Sequence, residues 1–242
     1  MKVFGKSDIG LKRNSNQDCF DYAIVSDDIL WTVVCDGMGG INGGDVASNL
    51  AAKSIKESLA HSCFENLSQA DIENLLKKAI EKANFEIFTM AQNDSNLSGM
   101  GTTVVLVAIF NDKIHVAHVG DSRAYLIRKN EIKQLTIDHS MVQELLDEGE
   151  ITHEEAKTHP NKNIITRALG LGKNVNIDYF VEDKLPHDTV IICTDGLTNY
   201  FEQNEILECF EQKKDNDLVN ELVSGANERG GSDNITVVVL SE

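Results

Sequence analysis

The sequence predicts an α+β fold built on antiparallel strands, and three observations lead to it. Short apolar runs rich in β-branched residues recur with turn signals between them, among them residues 30–35, 102–110, 113–119 and 235–240. Two longer segments instead place apolar residues at helical spacing, one from Val46 to Leu59 and one from Ile72 to Ile87. Two buried runs far apart in the chain also end alike, in Cys35-Asp36-Gly37 and in Thr194-Asp195-Gly196. One Asp-Gly pair is most simply a hairpin turn. Two such pairs, each closing a buried strand, suggest one shared site.

Taken in order, residues 2–8 read as an edge strand, and Gly10 to Asp18 as a polar loop dense in functional groups. Residues 20–25 and 30–35 then form a hairpin around Ser26-Asp27-Asp28. Asp36 is expected at that strand's exit. Gly37, lacking a Cβ, lets the backbone turn and present its carbonyl oxygen. A carboxylate and a carbonyl side by side are hard oxygen ligands of the kind Mg²⁺ or Mn²⁺ prefers. The glycine-rich loop from Gly39 to Gly44 precedes a helix with apolar face Val46, Leu50, Ala51, Ile55 and Leu59. It lacks the Lys-Ser/Thr ending of a nucleotide-binding loop, so it reads as room for backbone to approach a metal site.

Ser68-Gln69-Ala70-Asp71 is a capping-box start for the second helix, and residues 92–98 are a loop. Residues 102–110, 113–119 and 123–127 read as successive antiparallel strands joined by Asn111-Asp112 and Gly120-Asp121-Ser122. His115 and His118 are not a chelating pair, because a three-residue offset in a strand points them to opposite faces. From Thr136 to Gly170 the pattern is irregular and partly helical, a long insertion suited to a lid. Strands over 176–181 and 189–193, helices over 204–210 and 218–227, and a final buried strand over 235–240 complete the chain.

The chain has 242 residues, which suits one domain, or at most two small ones, and is enough to bury a substantial core. Its net charge of −17, from 22 basic and 39 acidic residues, argues against nucleic acid or an anionic membrane as partner. No apolar run reaches membrane-span length and no signal-peptide core follows Met1, so the expected location is cytoplasmic. Cys19, Cys35, Cys63, Cys193 and Cys209 form no Cys-x-x-Cys pair and read as reduced thiols.

The acids at strand edges are Asp18, Asp36, Asp121, Asp195 and Asp233. Each alone could be a turn former. Brought to one edge of a sandwich, they would repel severely unless two or three divalent cations neutralised them.

The order of motifs, Arg13-x-x-Asn16-Gln17-Asp18, Asp36-Gly37-Met38-Gly39-Gly40, Gly101-Thr102-Thr103, Gly120-Asp121-Ser122-Arg123-Ala124-Tyr125, Leu135-Thr136-x-Asp138-His139-Ser140, Thr166-Arg167-Ala168-Leu169-Gly170, Thr194-Asp195-Gly196 and Gly231-Ser232-Asp233-Asn234-Ile235-Thr236, resembles the type 2C metal-dependent protein serine/threonine phosphatases. The resemblance spans residues 10–240, and Gln17 and Met38 resemble the bacterial branch. It implies a central β-sandwich of two antiparallel sheets flanked by α-helices on both sides. It implies one catalytic domain over residues 1–242 with a flap-like insertion around 140–165. The implied activity is hydrolysis of phosphoserine and phosphothreonine in proteins, without a covalent intermediate, opposing a serine/threonine kinase.

By the same resemblance Asp36 bridges two Mn²⁺ or Mg²⁺ ions, the Gly37 carbonyl binds the second, and Asp195 and Asp233 complete the first. Asp18 acts from behind these ligands or through water, Asp121 with Asp195 holds a third ion, and Arg13 grips the substrate phosphate. Asn234 and Thr103 are read as supports for the ligands. Many family members use a histidine after the metal-binding Asp-Gly as general acid. Met38 cannot donate a proton, so protonation is expected from a water on the third ion held by Asp121, with His139 or His159 as weaker candidates. Small phosphate esters remain an alternative substrate class, and a silent phosphoprotein-binding module ranks below both because every expected acid is present. A monomer is expected.

Overall fold

A computed structural model describes residues 1–39, 43–60, 62, 64 and 67–242. The middle of the glycine-rich loop (Gly40, Ile41, Asn42) and Cys63 therefore lie outside the described residues. Eleven strands and seven α-helices follow one another along the described chain. One sheet joins β1 (Lys2–Asp8), β11 (Ile235–Ser241), β10 (Thr189–Cys193), β7 (Arg123–Arg128) and β8 (Glu131–Gln134), in that order. The other joins β2 (Asp18–Ser26), β3 (Ile29–Met38), β5 (Val104–Phe110), β6 (Lys113–Val119) and β9 (Asp178–Asp183), with β4 (Gly101–Thr102) on the end of β3. All pairings are antiparallel.

Strand alternation divides the side chains among three apolar layers. In β3, Trp31, Val33 and Cys35 meet α1 (Gly44–Ala60) and α2 (Gln69–Asn93), whereas Leu30 and Val34 fill the space between the sheets. In β11, Val237 and Val239 meet α6 (Gln203–Gln212) and α7 (Asp215–Glu228), and Val238 and Leu240 face the other sheet. The result is the expected sandwich with helices on both sides. Ser68 and Asp71 exchange the reciprocal hydrogen bonds of a capping box, which starts α2 where the sequence placed it.

Local departures have local causes. Residues 123–127 do not pair with 113–119: β7 joins β10 and β8, so Gly120-Asp121-Ser122 carries the chain from one sheet to the other. Both strands are buried at nearly every position, so their apolar pattern could not reveal which neighbour each takes. Strand β3 runs through Asp36 and Gly37 to Met38, because β4 pairs with its end, and Asp36 is thus held within the ladder rather than at its exit. Helix α2 extends to Asn93 into the expected loop. Strand β8 and the four-residue α5 (Asp195–Thr198) were not anticipated. Between β8 and β9 lie α3 (Met141–Asp147) and α4 (His153–Thr158), neither with a buried residue.

His115 bonds the Tyr179 hydroxyl while His118 bonds the Ile137 carbonyl, on opposite faces of β6, so they form no chelate. No helix among the described residues is long and apolar enough to cross a membrane.

Candidate metal centre

The site lies where the strand ends of the two sheets meet. Asp18 opens β2 directly opposite Asp36 in β3, both on the same strand face as Phe20 and Val34, toward the second sheet. From that sheet Thr194, just past β10, and Thr236, in β11, donate their hydroxyls to Asp18 Oδ2 at 2.9 and 2.7 Å. The Thr236 amide donates to Thr194 Oγ1, so the two threonines fix each other and Asp18 ties the sheets together. Asp195 begins α5 immediately after Thr194, and Asp233 immediately precedes Asn234 and β11. Asp121 sits in the crossover between β6 and β7.

Asp36, Gly37, Asp121, Asp195 and Asp233 line one cleft of about 940 Å³ together with Arg13. The sequence-assigned residues therefore meet at one place, except Asp18, which stands behind the cleft wall. Asn163 and Ile165, on the return limb of the irregular segment, also line it, as does Lys12. Arg13 Nη2 donates to Asp233 Oδ2 at 2.7 Å from a half-exposed side chain at the mouth.

Thr103 and Asn234 both hold nearby backbone, and Thr103 also lines the cleft. Thr103 Oγ1 accepts from the Asp36 amide at 3.0 Å and pairs with Ser122 Oγ at 2.8 Å. Asn234 Oδ1 accepts from the Gln17 amide, and its Nδ2 donates to the carbonyls of Ile9 and Ser15. The Thr194, Thr236 and Ser122 hydroxyls were missed. They lie inside the quoted motifs, and Thr194 and Thr236 sit one before Asp195 and three after Asp233. Neither histidine offered as a general acid lines the cleft. His139 is buried and its Nδ1 accepts from the Gly120 amide, and His159 Nδ1 accepts from the Asn161 amide. Met38 does line it.

The electrostatics are those of several acids crowded around one arginine, Arg13. Burial, followed by the other carboxylates, pushes Asp36 well above the usual carboxylate range. Asp18 is raised to about 7, mainly by burial, against the lowering effect of the two threonine hydroxyls. Asp121 is raised to about 7 by burial and then by Asp195 and Asp138. Asp195 is raised by burial and by Asp233, partly offset by Asn199. Asp18 Oδ1 and Asp195 Oδ1 are buried with no hydrogen-bond partner. Buried carboxylate oxygens without partners are costly, and one on the cleft with another directly behind it fits a divalent-cation centre. Among the described residues, no three acidic, imidazole or thiol groups stand close enough as they lie to hold an ion. Cys35 and Cys193 are fully buried and their thiols are raised by that burial, Cys193 to about 12, which makes them poor nucleophiles.

The family described as Protein phosphatase 2C matches residues 7–235. The serine/threonine phosphatase stp of Listeria monocytogenes is 39% identical over 236 residues, covering 97% of this chain and 93% of that protein. Among solved structures, the S. agalactiae serine/threonine phosphatase superposes with a TM-score of 0.93 at 37% identity, covering 100% of this chain and 99% of its own. The catalytic domain of the serine/threonine protein phosphatase PstP, in complex with two manganese ions, superposes with a TM-score of 0.83 at 33% identity, covering 98% and 96%.

Proposed function

The chain belongs to the protein phosphatase 2C family, a metal-dependent family of serine/threonine phosphatases, and from that premise we propose how its residues divide the work. It is a protein phosphatase, acting on phosphorylated proteins. The observation that carries the assignment is the single cleft that collects Asp36, Asp121, Asp195, Asp233 and Arg13. Asp36 would bridge two ions, the Gly37 carbonyl would serve the second, and Asp195 and Asp233 would complete the first. Asp121 with Asp195 would hold a third, and Asp18 supports the set from behind through Thr194 and Thr236. Manganese is the leading ion by analogy with the PstP complex, with magnesium as alternative.

Divalent cations, when bound, supply hydroxide near neutral pH and neutralise charge on the phosphoryl oxygens. Arg13 grips the substrate phosphate, and its planar fork suits two phosphoryl oxygens at once. One arm of that fork, Nη2, is paired with Asp233 across the mouth. Bound cations would favour the ionised forms of Asp36 and Asp195 against the burial that raises both. Arg13→Lys keeps the charge and loses the fork, so KM for a phosphothreonine peptide should rise about tenfold, in line with loss of one charge-assisted hydrogen bond. Steady-state kinetics with an unchanged KM would remove Arg13 from this role. The leaving alkoxide is assigned its proton from the Asp121 side of the cleft. Asp121→Asn should therefore slow phosphopeptide hydrolysis more than that of an activated aryl phosphate, whose leaving group scarcely needs an acid. Equal losses on both would sink the assignment.

The direct test is phosphate release from a phosphothreonine peptide with EDTA, Mg²⁺ or Mn²⁺. Activity only with added metal supports the reading. A folded protein inactive under all three would turn attention to small phosphate esters or a binding module.

The pKa shifts also set a pH dependence. Between about pH 4 and 7 native Asp18 and Asp121 keep protons that the unfolded chain has lost, so their contribution to stability falls as pH rises through that window. Buried His118, lowered to about 4, acts in the opposite sense, and its contribution is complete only above the unfolded imidazole's value of about 6.5. Cations compete with the carboxylate protons, so the rise in melting temperature given by saturating Mn²⁺ should be larger at pH 8 than at pH 6. An equal rise at both would contradict a carboxylate centre.

We also propose one catalytic domain over residues 1–242 with the 140–165 segment as a flap, supported by Asn163 and Ile165 at the cleft wall. The protein would act as a monomer opposing a serine/threonine kinase. A reducing, cytoplasmic location is supported by the free Cys19, Cys35, Cys193 and Cys209.

A further inference from the structure

We infer that His139 is the positioning residue for Asp121: it grips the Gly120 peptide from both sides and so aims the Asp121 carboxylate into the cleft. The inference rests on the reading of Asp121 as a metal ligand given above.

The Gly120 amide donates to His139 Nδ1 at 3.0 Å, and the His139 amide donates to the Gly120 carbonyl at 2.9 Å. Both polar groups of the residue preceding Asp121 are thus taken by one partner. Because Nδ1 accepts, the ring proton stands on Nε2. Nε2 lies 3.3 Å from Asp178 Oδ2, and Arg167 Nη1 donates to Asp178 Oδ1 at 2.9 Å. Arg167 Nη1, itself 3.2 Å from Nε2, is therefore a second donor converging on Asp178 and not a donor to the ring. Asp178 fixes the tautomer that Gly120 requires.

The other side of the crossover is held as firmly. Gly120 has φ +110, and a Cβ there would meet Thr103 Cγ2 at 2.6 Å. Thr103 carries the Asp36 amide and Ser122 on its hydroxyl. Asp138, the residue before His139, receives Arg123 Nε at 2.9 Å and Nη2 at 2.6 Å. The adjacent pair Asp138 and His139 therefore holds both ends of the segment from Gly120 to Arg123, with Asp121 between them. The Thr166 amide donates to the His139 carbonyl at 2.8 Å, which links the same clamp to the return limb of the irregular segment. His139 itself does not line the cleft, so it acts through Asp121 and not on substrate.

The test is a Mn²⁺ titration of the full chain, reading free Mn²⁺ by electron paramagnetic resonance, with melting temperature measured alongside. His139→Asn places an amide oxygen where Nδ1 stands and should keep the parent isotherm. His139→Leu leaves the Gly120 amide without an acceptor. It should weaken the Mn²⁺ class that Asp121→Asn removes by about tenfold or more, the range expected for partners that orient a ligand, and leave the tighter classes unchanged. His118→Phe probes the same buried neighbourhood, because that ring stacks on His139 at 4.6 Å and hydrogen-bonds the Ile137 carbonyl instead of Gly120. It should lower the melting temperature and leave the isotherm alone.

Should the leucine variant fail to fold, His139→Gln decides: its amide reaches toward Asp178 but not Gly120, so it should bind Mn²⁺ more weakly than His139→Asn. The inference is overturned if His139→Leu keeps the Asp121 class. It is overturned equally if His139→Asn is as damaged as His139→Leu, or if all classes weaken together in step with melting temperature. If Asp121→Asn itself leaves the isotherm unchanged, the ligand reading fails and takes this inference with it.

Discussion

Asp36→Asn is expected to reduce phosphothreonine-peptide hydrolysis by at least about 10³-fold, well beyond the 10–100-fold typical when a partner behind a ligand is lost. The side chain keeps its shape and loses its charge. The Asp36 amide still donates to Thr103, and the β3 ladder through Met38 is unaffected, so the fold is retained. Removing this carboxylate also removes the group on which Asp18, Asp195, Asp121 and Asp233 all press. In EDTA the variant should therefore melt no lower than the parent, while the stabilisation given by Mn²⁺ largely disappears. Retained activity, or a large drop in melting temperature without metal, would show that Asp36 is a structural acid rather than a bridging one.

The acids themselves were legible in the sequence because each carries its own local signal, a buried run ending in Asp beside a residue without a bulky side chain. Asp36, Asp121 and Asp195 were found that way, Asp233 by the turn that introduces the last strand, and all four line one cleft. What the sequence could not convey was connectivity between layers. Strands β6 and β7 are both apolar throughout, so the turn between them read as a hairpin although it crosses from one sheet to the other. That crossing is what puts Asp121 in the cleft. The hydroxyls of Thr194 and Thr236 were overlooked for a related reason: their partner, Asp18, is 176 and 218 residues distant in the chain. A threonine within a strand has an ordinary local explanation, namely its preference for a pleated surface. His139 was visible as a residue, but its partner Gly120 was not. An imidazole in an irregular stretch invites a role in proton transfer, whereas here its Nδ1 serves a backbone amide.

Gly37→Ala is the second large effect expected, and it bears on why the Asp-Gly pair recurs. A hairpin turn would ask glycine for a positive φ, yet neither Gly37 nor Gly196 is among the positive-φ glycines. Their need is for space. A Cβ on Gly37 would stand 2.0 Å from the Gly44 carbonyl oxygen and 2.6 Å from that of Gln17, and one on Gly196 would stand 1.8 Å from the Asn234 carbonyl oxygen. In each case the obstacle is backbone, which cannot rotate aside as a side chain can. Each glycine thus lets a neighbouring segment of chain press against the strand end that carries an acid: the start of α1 and the Asp18 loop at Gly37, the approach to β11 at Gly196. Gly37→Ala should cost about 3 kcal/mol or more, at the upper end of what overpacking exacts, and should weaken Mn²⁺ binding because Asp36 moves with its neighbour. Gly172→Ala is the control, with its nearest atom at 3.4 Å and an ordinary φ, and should change stability by under about 0.5 kcal/mol. Denaturant unfolding of the two variants decides between space and turn chemistry. If Gly37→Ala is as mild as Gly172→Ala, the close backbone approach is not what the glycine is for.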